Sequence, residues 1–146
     1  MSYWDTSSLV KLYAQEADSA AFENYALHAP TKAVTSRIAL YEARATFLRK
    51  EAEGVLQPGC SQKLYNQLVQ DVATGELRLV ELGADVEREY GQVLGQCSRQ
   101  IPPIPLRTLD ALHLASARVA SETELVATDK RMREAAKVLG FALFPV

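Results

Sequence analysis

The sequence predicts a three-layer α/β/α sandwich on a mostly parallel central sheet. Short apolar strand-like runs alternate along the chain with amphipathic helical runs, an order that pairs strands in parallel through helical crossovers. Several helical runs also open directly from a strand end, with Asp, Ser or Thr at the capping position. The 146 residues suit one compact domain spanning 1–146, and 48% hydrophobic with 23% charged residues is a globular composition.

Ser2 to Asp5 reads as a first strand that runs straight into Thr6-Ser7-Ser8 and the apolar residues Leu9, Val10, Leu12 and Tyr13. Asp5, Thr6 or Ser7 can cap the helix that begins there. A second helix covers Ser19 to His28 and is closed by Pro30. Lys32 to Thr35 gives a short strand with Ala33 and Val34 inward, and Thr35 or Ser36 caps the next helix, Arg37 to Glu53. In that helix Ile38, Tyr41, Ala45, Leu48 and Ala52 form one stripe of 3.6 period, with Glu42 beside it and Gly54 ending it.

Gln57-Pro58-Gly59 is a turn, after which Ser61 opens a helix reaching Thr74-Gly75. Leu77 to Leu82 alternates apolar and charged residues as a half-buried strand does. Asp85 to Ser98 is helical, and Ile101-Pro-Pro-Ile-Pro is a stiff connector that no helix can include. It delivers Arg107-Thr-Leu-Asp110 to a strongly helical run through Ala120. Glu124 to Thr128 reads as a strand, Asp129 to Leu139 as a helix stopped by Gly140, and Phe141 to Phe144 as the last strand.

Composition narrows the function classes. A net charge of -2 gives no global basic field, so a nucleic-acid substrate needs a local basic rim. Cys60 and Cys97 have no CxxC partner, which favours reduced thiols over a disulfide or metal role. Asp5 interrupts the short apolar start, so no signal peptide is read, and no stretch has transmembrane length. The expected location is the cytoplasm.

Four carboxylates stand out: Asp5, Glu42, Asp110 and Asp129. Taken singly, Asp5 and Asp129 are N-caps, Asp110 answers a helix dipole, and Glu42 is a solvated helix residue. Taken together, each borders apolar sequence, Asp5 and Asp129 after strands and Asp110 before Ala111-Leu-His-Leu-Ala115. An α/β sheet gathers such residues at the carboxyl ends of its strands. With no matching cation expected nearby, the cluster calls for a divalent ion, and Mg²⁺ or Mn²⁺ suits oxygen donors. Lys11, Arg44, Arg107, Lys130 and Arg131 flank the acids and are candidates for a basic rim, with Arg107 favoured for a phosphate contact. His113 reads as a core histidine bonded to backbone, because Leu112 and Leu114 flank it, and Tyr3 and Trp4 read as packing residues.

Four segments resemble PIN-domain ribonucleases of the VapC toxin type: Tyr3-Trp-Asp5-Thr-Ser-Ser-Leu-Val-Lys-Leu-Tyr13, Ala39-Leu-Tyr-Glu42-Ala-Arg44, Leu106-Arg-Thr-Leu-Asp110-Ala-Leu-His-Leu-Ala-Ser-Ala117 and Leu125-Val-Ala-Thr-Asp129-Lys-Arg131. The closing Gly140-Phe-Ala-Leu-Phe-Pro145 fits as well. The resemblance implies a PIN-like fold and RNA phosphodiester hydrolysis with one or two Mg²⁺ or Mn²⁺ ions. By position it makes Asp5 and Asp110 the principal metal ligands, Glu42 a ligand or water-holder, and Asp129 the fourth acid. It places Ser7 as a supporting hydroxyl. Relatives commonly carry Thr or Ser where this chain has Ala127, and Thr128 is the adjacent substitute, although strand alternation turns neighbouring side chains to opposite faces.

The resemblance also implies an RNA substrate, a homodimer, and a cognate antitoxin, with the Ser19–Tyr25 and Arg37–Leu48 helices as the expected docking groove. A PIN-like fold without catalysis, binding RNA or protein, is the alternative, and the intact acid quartet counts against it. A haloacid-dehalogenase-like phosphatase needs Asp-x-Asp after the first strand, and residue 7 is Ser. A receiver domain needs its phosphoacceptor Asp after a central strand, and the acid that follows the second strand is the helical Glu42.

Overall fold

The computed structural model describes residues 2–146. Strands β1 (Ser2–Trp4), β2 (Ala33–Ser36), β3 (Leu77–Val80), β4 (Glu124–Val126) and β5 (Ala142–Phe144) form one five-stranded sheet in the order β3-β2-β1-β4-β5. Every neighbouring pair is parallel, so the expected mostly parallel sheet is fully so. The connections carry α1 (Thr6–Val10), α2 (Ser19–His28), α3 (Arg37–Ala52), α4 (Cys60–Thr74), α5 (Ala84–Ser98), α6 (Thr108–Val119) and α7 (Lys130–Val138). No described helix is long and apolar enough to cross a membrane.

Strand alternation builds the two cores. Tyr3, Val34 and Leu125 point to one face and pack with Val86 and Val93 of α5, Leu114 of α6 and Met132 of α7. Trp4 and Val126 point to the other and meet Leu9 of α1, Phe22 of α2, Phe47 of α3 and Leu68 of α4. Both faces are therefore covered, and this gives the three layers. It also explains why the central strands are buried along nearly their whole length.

The face that α3 buries differs from the expected stripe. Ala39, Ala43 and Phe47, one helical turn apart, carry the burial, while Tyr41 is 64% and Leu48 54% exposed. The two alanines allow close approach to the sheet, and the Phe47 ring fills the space beyond them. The sequence stripe tracked apolar character and passed over Phe47, which has the larger area to bury. Glu42 still borders the buried arc, now beside Ala43. β3 stops at Val80, two residues short of the expected Leu82, whose side chain is exposed. Cys60 and Cys97 are free thiols, and burial pushes that of Cys97 up.

The strand order sets the position of the site. The chain builds outward from β1 to β2 and β3, then returns to the other side of β1 for β4 and β5. β1 and β4 are thus the switch point, where loops leave the carboxyl ends in opposite directions and open a crevice.

Candidate active site at the switch point of the sheet

Asp5 is the first residue after β1. Its N–H donates to the Val126 carbonyl at 3.1 Å, so the β1–β4 pairing itself fixes its backbone. The side chain caps α1, with Oδ1 accepting from the Ser8 N–H at 2.9 Å, and the Ser7 hydroxyl donates to the two oxygens at 3.2 and 3.1 Å. Only 5% of the residue is exposed. Burial pushes its carboxyl above the ordinary carboxylate range despite the Ser8 bond and the nearby His113.

Asp129 caps α7 after β4, its Oδ1 accepting from the Met132 N–H at 3.0 Å. Asp110 sits in the first turn of α6, on the same side of the sheet as α7. Glu42 comes from α3 in the opposite layer. Its Oε1 accepts from the Thr6 hydroxyl at 2.6 Å and lies 2.7 Å from His113 Nε2. Burial is the largest single influence on Glu42 and acts upward. The bonds from His113 and Thr6, with the charge of Arg107, outweigh it and hold the carboxyl below its usual range.

All four sequence-predicted acids thus stand on elements that meet at one edge of the sheet. The expectation that no cation accompanies them is corrected. Arg107, the residue before α6, places Nε 2.9 Å from Asp110 Oδ2 and Nη2 3.7 Å from Asp129 Oδ2. No three His, Cys, Asp or Glu side chains among the described residues are grouped to hold one metal ion. The donor set nevertheless suits a hard divalent cation. Its members are carboxylates, and Asp5 is buried with no ion pair to a Lys or Arg among the described residues.

The remaining sequence candidates separate clearly. Ser7 contacts Asp5 as expected. Thr128 is exposed and makes no hydrogen bond among the described residues, while Ala127 is buried in the α5–α7 core. Lys11 turns away to Asp18 at 2.8 Å and Glu16 at 3.7 Å. Arg44 lies over the Tyr65 ring, 4.9 Å from its centroid. Lys130 and Arg131 are exposed.

His113 corrects a further expectation. It is buried, but its partners are side chains: Tyr3 at Nδ1 and Glu42 and Thr6 at Nε2. The flanking leucines suggested an inert environment, whereas the spacing Asp110-x-x-His113 puts acid and histidine one turn apart on α6. The sequence reading also passed over Arg49 and Lys50. With Thr6, Ser7, Glu16, Glu42 and Thr46 they line a cleft of about 220 Å³. Glu42, Thr46, Arg49 and Lys50 follow the spacing of one helical face, a signal available in the sequence. Lys50 is 3.7 Å from Glu16, and Arg49 has no ion pair among the described residues. Larger cavities of about 480 and 710 Å³ lie at the far end of the sheet, around Thr31, Lys32 and Leu77.

A doubly wound parallel sheet with acids over its switch point defines the class of protein. The family follows from comparison: the PIN-domain profile matches residues 2–138, and the chain belongs to the PIN-domain family. It is 34% identical over 143 residues to Ribonuclease VapC46 of Mycobacterium tuberculosis (strain ATCC 25618 / H37Rv), covering 97% of this chain and 94% of that protein. Among solved structures it is similar to Mycobacterium tuberculosis VapC20, described as a sarcin-ricin loop cleaving toxin. The TM-score is 0.68 at 18% identity, with 92% and 95% of the two chains covered. A toxin–antitoxin complex from Klebsiella pneumoniae matches with a TM-score of 0.59 at 15% identity, over 88% and 87%. These two likenesses establish the shared fold.

Proposed function

We propose that the chain is a divalent-metal-dependent endoribonuclease acting as the toxin of a toxin–antitoxin module. What supports this reading is a ribonuclease relative along nearly the whole length of a PIN-domain chain, in which Asp5 and Asp129 follow the paired strands β1 and β4 and Arg107 contacts both Asp110 and Asp129. Ribonucleases of this family typically use a divalent metal. Asp5 and Asp110 would hold Mg²⁺ or Mn²⁺ as principal ligands, with Glu42 and Asp129 completing the acidic set. When bound, the ion supplies a water of lowered pKa and offsets charge on the phosphodiester.

The chain's own residues orient the reaction around that site. Ser7 and the Ser8 N–H hold the Asp5 carboxylate, and the Met132 N–H holds Asp129. Arg107 is exposed on the solvent side of the acids and meets an RNA phosphate. Arg49 and Lys50 hold the flanking backbone of the strand in the cleft beside Glu42. The open edge, in place of a deep cavity, suits a polymer.

The functional unit is the single domain 1–146, working in the cytoplasm as a homodimer and neutralised by a cognate antitoxin. A solved toxin–antitoxin complex of the same fold supports that partner. Tyr41 and Leu48 on α3, with Leu27 on α2, leave exposed apolar surface along the helices where an antitoxin docks.

The test is cleavage of total RNA by the purified chain with Mn²⁺ or Mg²⁺. Wild type cleaves, EDTA stops it, and Asp5→Asn or Asp110→Asn abolishes it while circular dichroism stays unchanged. Cleavage at the wild-type rate by either variant, or in EDTA, would overturn the reading.

A further inference from the structure

We propose that His113 is a positioning residue: its Nε2–H ties one oxygen of Glu42 back into the protein and thereby aims the other into the crevice. The proposal rests on the ribonuclease reading only for its kinetic arm. Nε2 and Glu42 Oε1 are 2.7 Å apart, and the Thr6 hydroxyl donates to the same Oε1 from 2.6 Å. An ionised carboxylate can only accept, so the proton between them belongs to Nε2. No hydrogen bond among the described residues reaches Oε2, which leaves that oxygen for whatever enters the site.

The ring itself is held from behind. Tyr3 Oη lies 2.6 Å from Nδ1, and the Tyr3 and His113 rings meet edge to face with centroids 5.8 Å apart. Burial keeps the Tyr3 phenol protonated well beyond its ordinary range, so its O–H is available to donate to Nδ1 when Nε2 carries the ring proton. A donor arriving at Nδ1 and an acceptor at Nε2 select the Nε2–H tautomer. Thr6 Oγ1 also lies 3.1 Å from Nε2, and since both groups give their protons to Oε1 they form two converging donors.

The arrangement joins elements that the sheet would otherwise keep apart. Tyr3 belongs to β1, Thr6 to α1 and His113 to α6, while Glu42 stands on α3 in the opposite helical layer. His113 is 2% exposed, so the histidine end of this link is shielded from water. Asp110, one turn earlier on α6, faces the same edge. One helix therefore carries an acid of the quartet and the group that orients another. Hydrogen-bond partners of metal-binding carboxylates are commonly worth 10–100-fold in affinity or activity.

Nitrogen-15 NMR of the metal-free wild-type protein tests the geometry without any catalytic readout. His113 shows a proton on Nε2 in slow exchange, and its resonance shifts in Glu42→Gln. A ring protonated only at Nδ1, or an Nε2 signal indifferent to Glu42→Gln, overturns the proposal whether or not the chain cleaves RNA. In the kinetic arm, His113→Leu lowers kcat on an RNA substrate about 10–100-fold with KM within about two-fold. His113→Gln, which keeps an N–H donor within reach of Oε1, restores most of that loss. Equal rates for the Leu and Gln variants in a wild type that is active sink the positioning role alone. A wild type that cleaves nothing sinks the ribonuclease reading and leaves the NMR result to decide this one.

Discussion

Removing Arg107 should tighten metal binding, although Arg107 lies beside the acids and carries the charge that RNA needs. Its guanidinium bridges Asp110 at 2.9 Å and Asp129 at 3.7 Å, so a divalent ion must compete with it for both carboxylates. Arg107→Ala ends that competition and leaves two acids whose mutual repulsion a metal relieves. Arg107 is 68% exposed, which puts the pair at the weak end for ion pairs, and the expected tightening of Mn²⁺ binding is about two- to five-fold. Both contacts are well inside the Debye length of about 8 Å at physiological salt, so the effect persists there. Isothermal titration of Mn²⁺ into wild type and variant reads it directly. RNA affinity should move the opposite way, with KM rising as the phosphate contact is lost. Arg107→Lys keeps a point charge that cannot span both acids, so it falls between the two. Unchanged or weaker Mn²⁺ binding in Arg107→Ala would show that the guanidinium does not occupy the metal's place.

Other outcomes follow from the same geometry. Burial raises the folded-state pKa of Asp5, so the protonated acid favours the metal-free fold and that stability is lost as pH rises through the raised value. Asp5→Asn, whose amide still caps α1, should therefore melt higher than wild type at neutral pH, the gap closing below the ordinary carboxylate range. Glu42 has the opposite sign: its stabilisation is present above the ordinary range and lost as pH falls through its depressed value, so Glu42→Gln melts lower at neutral pH. Equal melting temperatures for both variants across the pH range would contradict the two environments. Phe47→Ala should cost about 3–5 kcal/mol in urea unfolding, while neighbouring Leu48→Ala stays within about 0.5 kcal/mol, and similar costs would refute the face assigned to α3. Arg49→Ala should raise KM for RNA and reduce the salt slope of binding by about one, with kcat little changed.

Element types were legible in the sequence because capping residues and apolar periods mark them locally. The Asp5 and Asp129 caps form as read, from the residues that end β1 and β4. Strand order was not legible, since nothing local says that β4 returns beside β1. That pairing is what brings Asp5 and Asp129 to one crevice. The face of α3 was misread for a related reason. Tyr41 and Leu48 are apolar enough to be core, and only the sheet and α4 packed around Ala43 and Phe47 decide between two plausible arcs. His113 shows the same limit at the site. Its neighbours in sequence are leucines, yet its partners Tyr3, Thr6 and Glu42 come from three other elements. Long-range hydrogen bonds of this kind leave no periodic trace.

The central claim is that the acid quartet holds the catalytic metal, and anomalous diffraction from crystals soaked in Mn²⁺ tests it most directly. An anomalous peak is expected at coordination distance from the Asp5 and Asp110 carboxylates, with the Arg107 side chain turned away from Asp110. No peak at this edge, under conditions where the same protein cleaves RNA with Mn²⁺, would contradict it.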